Sequence, residues 1–189
     1  MKIVVGLGNP GAEYANTPHS VGFEVAEAFA ARMGASWEEK RSFKARIARG
    51  TLGGERILVV EPLTYMNLSG ASVAEVLRYS NATPADLTVV QDDIDLPAGR
   101  LRVRVGGSCG GHNGVRDIIA KLGTMAFVRV KLGVGKERGN VIGHVLGKFG
   151  RDARAIMDQT VAAAAQAVEV VVSQGPQAAM NLYNGWSPS

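Results

Sequence analysis

The chain has 189 residues, is 46% hydrophobic and 20% charged, and carries 21 Lys+Arg against 17 Asp+Glu. Those proportions exclude a disordered or collagen-like chain, and no uninterrupted apolar run approaches the roughly 20 residues of a membrane span, so no membrane partner is expected. The single cysteine, Cys109, excludes an internal disulfide, and the opening MKIVVGLGNPG lacks a long apolar secretory stretch; a reducing, cytoplasmic setting is expected.

Short β-branched runs alternate with longer amphipathic ones, the pattern of an α/β domain. Lys2–Val5 reads as a first strand and Val21–Met33 as a helix. Residues 43–60 read as a hairpin turning at Gly53-Gly54. A short helix is expected over Ser69–Ser80, then a strand Leu87–Gln91 that ends in the acidic turn Asp92-Asp93-Ile94-Asp95. Strand Leu101–Val105, a glycine loop, helix Val115–Leu122 and strand Phe127–Val134 follow. A last helix, Arg151–Gln174, is stopped by Gly175-Pro176. No Pro-, Ser- or charge-rich linker and no repeat interrupts the series, so residues 1–189 read as one domain.

Charge is unevenly distributed along the chain. Between residues 100 and 148 ten basic residues face two acids, Asp117 and Glu137. Such a stretch predicts either a solvated surface or a face for an anionic partner, of which nucleic-acid phosphate is the commonest large one. In Leu101–Val105, Arg102 and Arg104 share one face of the strand, as do Arg129 and Lys131 further on. As neighbours these strands would form a two-pronged phosphate grip; the alternative is an edge guarded by charge.

Gly6-Leu7-Gly8-Asn9-Pro10-Gly11 matches the spacing of a dinucleotide loop. Pro10, Asn16, Thr17 and Pro18 postpone the helix that such a loop needs, which favours a strand-end turn that projects Asn9 into a cleft. His19 follows Thr17-Pro18, a candidate N-cap and first helical proline. The positive end of the helix dipole there favours a neutral imidazole, as a general base requires, though a purely structural histidine fits the same place. Asp92, Asp93 and Asp95 lie at a strand exit, where open α/β sheets place their crevices. One of them could orient His19, the three together could bind magnesium, or they could simply form a turn. The loop Gly106–Gly114 contains Cys109 and His112, which raises a cysteine-hydrolase reading, and ends in Asn113, an N-cap or a polar finger. His112 and His144 read as structural, and the three histidines show no zinc-ligand spacing.

Taken together, VVGLGNPGAEYANTPHSVGF, PLTYMNLSG, VVQDDIDLPAGRLRVR, GGSCGGHNGVRDIIAKLGT, RVKLGVG and VLGKF resemble the bacterial-type peptidyl-tRNA hydrolase family along nearly the whole chain. The resemblance implies a monomeric α/β enzyme with a mixed, twisted sheet flanked by helices. It also implies cleavage of the ester between a peptide and the 3′ adenosine of tRNA, with no metal and no cofactor. By position, His19 matches the family's catalytic base and Asp92 the acid that orients it. Asn9, Asn67 and Asn113 match the asparagines that hold peptide, ester and water, with Tyr14 and Met66 lining the same cleft. Arg104 and Lys131 match the clamp on the tRNA phosphate. The family's usual Thr-Arg-His-Asn is here Thr17-Pro18-His19-Ser20, and Lys136-Glu137-Arg138 replaces the usual proline-containing turn, at a segment expected to act as a lid. These departures motivate a second reading, an RNA-binding module that keeps the fold without the chemistry.

Overall fold

The computed structural model describes residues 1–136 and 141–189, with the side chains of 141–143 left aside. Seven strands form one mixed sheet: β1 (Lys2–Gly6), β2 (Trp37–Lys40), β3 (Ala45–Leu52), β4 (Glu55–Pro62), β5 (Leu87–Asp93), β6 (Leu101–Val105) and β7 (Val128–Gly133), in the order β2-β3-β4-β1-β5-β7-β6. The four central strands β4, β1, β5 and β7 run parallel, with β3 and β6 antiparallel beside them. The helices are α1 (Val21–Arg32), α2 (Ser69–Tyr79), α3 (Asn113–Leu122), α4 (Val141–Leu146), α5 (Arg151–Gln174) and α6 (Pro176–Tyr183).

Alternation along the central strands sends side chains to two cores, as the two-residue period of a strand requires. Val4, Val59, Val90 and Val130 pack with Val25 and Phe29 of α1 and Met157, Ala164 and Val168 of α5. Ile3, Val5, Val60 and Val89 pack on the other side with Val73 and Val76 of α2 and Val115 and Ile118 of α3. α5 is long and apolar enough by composition to cross a membrane, and half of its most apolar window is buried in the first core.

Three departures from the sequence reading have local causes. β2 (WEEK) is an edge strand with three charged residues of four, so it shows no apolar alternation. α6 begins at Pro176, because a proline that cannot continue α5 is well placed at the first position of a new helix. Asp92 and Asp93 belong to β5 and pair with Leu132 and Gly133, so the acidic turn starts later than expected.

Two glycines bring α1 onto the sheet. A Cβ on Gly22 would lie 2.4 Å from the Leu7 carbonyl oxygen and 2.6 Å from that of Val90, and one on Gly6 would lie 2.1 Å from the Gly22 carbonyl oxygen. Only hydrogen at these positions lets the start of α1 rest against the exits of β1 and β5. That contact carries the turn before α1, with its histidine, to the end of β5.

Candidate active site

His19 lies in a single 3-10 turn, Pro18–Ser20, that leads into α1. Thr17 does not cap that helix; its hydroxyl donates to the Tyr14 carbonyl at 2.6 Å and closes the preceding turn. His19 Nδ1 stands 2.9 and 3.0 Å from the two carboxylate oxygens of Asp92. His112 Nε2 also reaches Asp92 Oδ1, at 2.8 Å. The two imidazoles are 4.8 Å apart between ring centres.

Hydrogen bonding sets both tautomers. The His112 Nδ1 accepts the backbone N–H of Val115 at 3.3 Å, so its proton resides on Nε2 and is donated to Asp92. His19 donates its Nδ1–H to the same carboxylate, which leaves Nε2 with its lone pair and, among the described residues, no hydrogen-bond partner. Asp92 is 3% exposed. Burial alone would raise its pKa, but the attraction of His112 and the hydrogen bonds from His112 and His19 outweigh it and hold the carboxyl well below the usual range.

His112 is therefore a site residue that the sequence reading set aside as structural. It also caps α3, the role considered for Asn113. The only hint in sequence was its place between Gly110-Gly111 and a helix start. His19, Asp92 and His112 hold their nearest ligand atoms within 4.8 Å of one another, although they are scattered in sequence. In this arrangement each imidazole spends one ring nitrogen on a hydrogen bond to the carboxylate. The three acids do not converge as a magnesium site: Asp93 accepts the backbone N–H of Asp95 at 2.8 Å and faces Lys131 at 3.8 Å, while Asp95 faces Lys136 at 3.6 Å.

The asparagines come from three separate loops. Asn9 follows β1, and its Oδ1 accepts the backbone N–H of Met66 at 2.8 Å, which leaves its amide NH2 as donor. Asn67 is exposed in the turn Met66–Leu68 that precedes α2. Asn113 opens α3, and its Oδ1 accepts from Arg116 at 3.3 Å. Tyr14 is partly exposed, edge-on to Tyr65 at 6.4 Å. Met66 is buried, with its sulfur 2.5 Å from where a Cβ on Gly114 would lie, so it packs against the start of α3.

His19, Asp92 and Asn113 line a cleft of about 360 Å³ that continues along β6 and β7 to Arg102, Arg104 and Lys131. Arg129 departs from the expected grip. Its guanidinium is fully buried over the Phe127 ring and donates to the carbonyls of Gly107 and Ser108, which anchors the glycine loop. Lys131 is held below the ordinary lysine pKa by burial, with Asp93 opposing and Arg129, Arg104 and Arg102 reinforcing the shift. Cys109 lines the cleft, and the backbone N–H of Gly111 lowers its thiol, with burial opposing and Arg116 assisting. His112 has both ring nitrogens engaged elsewhere, so it is not a base for Cys109. The glycine motif after β1 is the strand-end turn that the sequence favours over a dinucleotide loop, since α1 begins at Val21, well after Gly11. Of the expected lid, Glu137 and Arg138 lie outside the described residues.

A sequence profile described as peptidyl-tRNA hydrolase matches residues 3–189. The chain belongs to the peptidyl-tRNA hydrolase family. It is 46% identical over 189 residues to the peptidyl-tRNA hydrolase of Dehalococcoides mccartyi, covering 97% of this chain and all of that one. The peptidyl-tRNA hydrolase of Clostridium acetobutylicum is 42% identical over 185 residues, covering 98% of each chain. Among solved structures, peptidyl-tRNA hydrolase from Acinetobacter baumannii superimposes with a TM-score of 0.94 at 34% identity, covering all of this chain and 97% of that one. The α/β fold with one mixed sheet flanked by helices is thus the fold of this family.

Proposed function

We propose that, in the peptidyl-tRNA hydrolysis that family membership assigns to this chain, His19 is the general base and Asp92 holds it in place. The observation that carries the reading is the free His19 Nε2 at the cleft, with Nδ1–H committed to a buried, ionised carboxylate. Nε2 takes a proton from water as the oxygen attacks the ester carbonyl, and the resulting imidazolium is stabilised by Asp92. The amide NH2 groups of Asn9 and Asn113, with Asn67, supply donors for the peptide carbonyls and the developing oxyanion. Collapse of the tetrahedral intermediate breaks the bond to the ribose oxygen, which receives the proton from His19. Ser20, in place of the family's usual asparagine, has its Oγ 3.4 Å from the Asn9 backbone nitrogen, so the turn stays tied to the loop after β1.

Arg104 and Lys131 are the proposed phosphate clamp. The cations crowded around Lys131 support this, since an anion seated among them relieves their mutual repulsion. In this reading residues 1–189 act as one monomeric domain in the cytoplasm, on peptidyl-tRNA, without metal or cofactor.

The test is release of peptide from an N-acetylated aminoacyl-tRNA. His19→Ala is expected to lose roughly 10²–10⁴-fold in kcat while still binding tRNA. Turnover within a few-fold of the native enzyme would remove His19 as the base.

A further inference from the structure

A second cavity, of about 320 Å³, opens one strand away from the catalytic cleft and begins at Asn9 and Ser20. Asp92 lies near the end of β5 and Glu61 near the end of β4, with β1 and the loop that carries Asn9 between them. The walls are apolar at Pro10, Phe23 and Leu63, and acidic at Glu24, Glu27 and Glu61.

Its charges do not balance. Glu24 is paired with Arg154 at 2.6 Å. Glu61 Oε1 is 3.1 Å from Arg46 Nη1, and the same nitrogen is 3.7 Å from Glu27. Arg46 is stacked over the Trp37 ring at 5.1 Å and has to serve both carboxyls. Three carboxyls thus share two guanidiniums. Glu61 is only 1% exposed, and among the described residues its Oε2 has no hydrogen-bond partner. A buried carboxyl oxygen left in this state costs free energy comparable to a lost hydrogen bond, and more when the group is ionised.

We propose that this cavity is a subsite for a cationic group of the peptide, an ammonium or guanidinium seated on Glu61 and Glu27, with its alkyl stem along Phe23 and Leu63. The inference rests on the peptidyl-tRNA reading above, in which Asn9 holds the peptide next to the ester. A chain passing Asn9 meets the cavity directly, and apolar walls above a buried acid suit a side chain whose stem is apolar and whose tip is charged. Without such a ligand a proton serves instead: burial and the charge of Glu27 push Glu61 up to about 8, against the pull of Arg46.

The experiment uses N-acetylated tripeptidyl-tRNAs on one tRNA body, with a single lysine at each of the three positions in turn, its ε-amine either free or acetylated. At one position the free amine is expected to raise kcat/KM by about ten-fold over the acetylated form, the scale of a charge-assisted hydrogen bond. That ratio is expected to fall to about one in both Glu61→Gln and Glu27→Gln, and being internal to each variant it does not depend on how much folded enzyme each yields. Ratios near one at all three positions in the native enzyme would overturn the subsite, as would a preference that survives both substitutions. Failure to cleave any of these substrates would overturn the hydrolase reading, and the subsite with it.

Discussion

Asp92 and Glu61 are both almost wholly buried carboxyls near the exits of parallel strands that flank β1, and their protonation goes opposite ways. Asp92 receives N–H donors from two imidazoles and is held ionised, below the usual carboxylate range. Glu61 has one shared guanidinium on Oε1 and, among the described residues, no donor on Oε2, and is pushed up to about 8. Burial alone therefore does not decide the charge of a carboxyl; the donors that reach it, and like charges such as Glu27 beside Glu61, do. Two donors make Asp92 a fixed anion that can orient a base. Too few make Glu61 an acceptor still short of a cation.

Removing the charge from the better-served carboxyl should have the largest effect. Asp92→Asn keeps the shape but can present N–H toward His19 Nδ1, which favours the tautomer with its proton on the catalytic nitrogen. A loss of roughly 10²–10⁴-fold in kcat, with tRNA binding retained, is expected in single-turnover assays. Activity within ten-fold of native would mean that the anion is not what positions His19.

The contrast extends to cations. Lys131, partly buried among Arg102, Arg104 and Arg129 with the Asp93 carboxylate 3.8 Å away, sits where cations outnumber anions, as Glu61 sits where acids outnumber cations. Arg104→Ala and Lys131→Ala should each weaken tRNA binding by about ten-fold and reduce the slope of log K against log salt by about 1. Filter binding across a salt series reads this; an unchanged slope would assign both side chains to guarding the sheet edge.

The smallest effect is on stability. Glu61 binds its proton more tightly in the folded chain than at its ordinary pKa of 4.5, so the folded state loses stability as pH rises from about 4.5 to about 8. Glu61→Gln cannot titrate and should remove that part of the decline. Its melting temperature relative to native should rise by a few degrees between pH 5 and pH 8.5, as about 1 kcal/mol shifts a chain of this size by roughly 2–4 °C. Parallel melting curves for the two proteins would show that Glu61 does not hold the proton.

Much of this arrangement was readable in the order of residues. Leu101–Val105 and Arg151–Gln174 have the bounds their patterns predict, because a period of two and a long alanine- and valine-rich stretch are local properties. The motifs around His19, Asp92 and Asn113 were legible for the same reason, each being a short segment at the exit of a strand or the start of a helix. Arg129 was not. Alternation places it on the face of Arg104 and Lys131, but only the closed glycine loop supplies the carbonyls that bury its guanidinium. His112 also looked local, a helix-start residue, until the loop carried it to a carboxylate 20 positions away.

The sequence by itself determined most of the elements, the basic stretch, the family and the residues able to carry acid–base chemistry, since these depend on periodicity, composition and motif order. The tertiary structure alone decided which polar groups share a buried volume. Sheet order sets β4, β1 and β5 side by side, and Gly6 and Gly22 let α1 close on them, so that Asp92 meets two imidazoles while Glu61, on the other side of β1, meets part of one arginine. Charge state follows from those neighbours, and neighbours distant in sequence are chosen by packing.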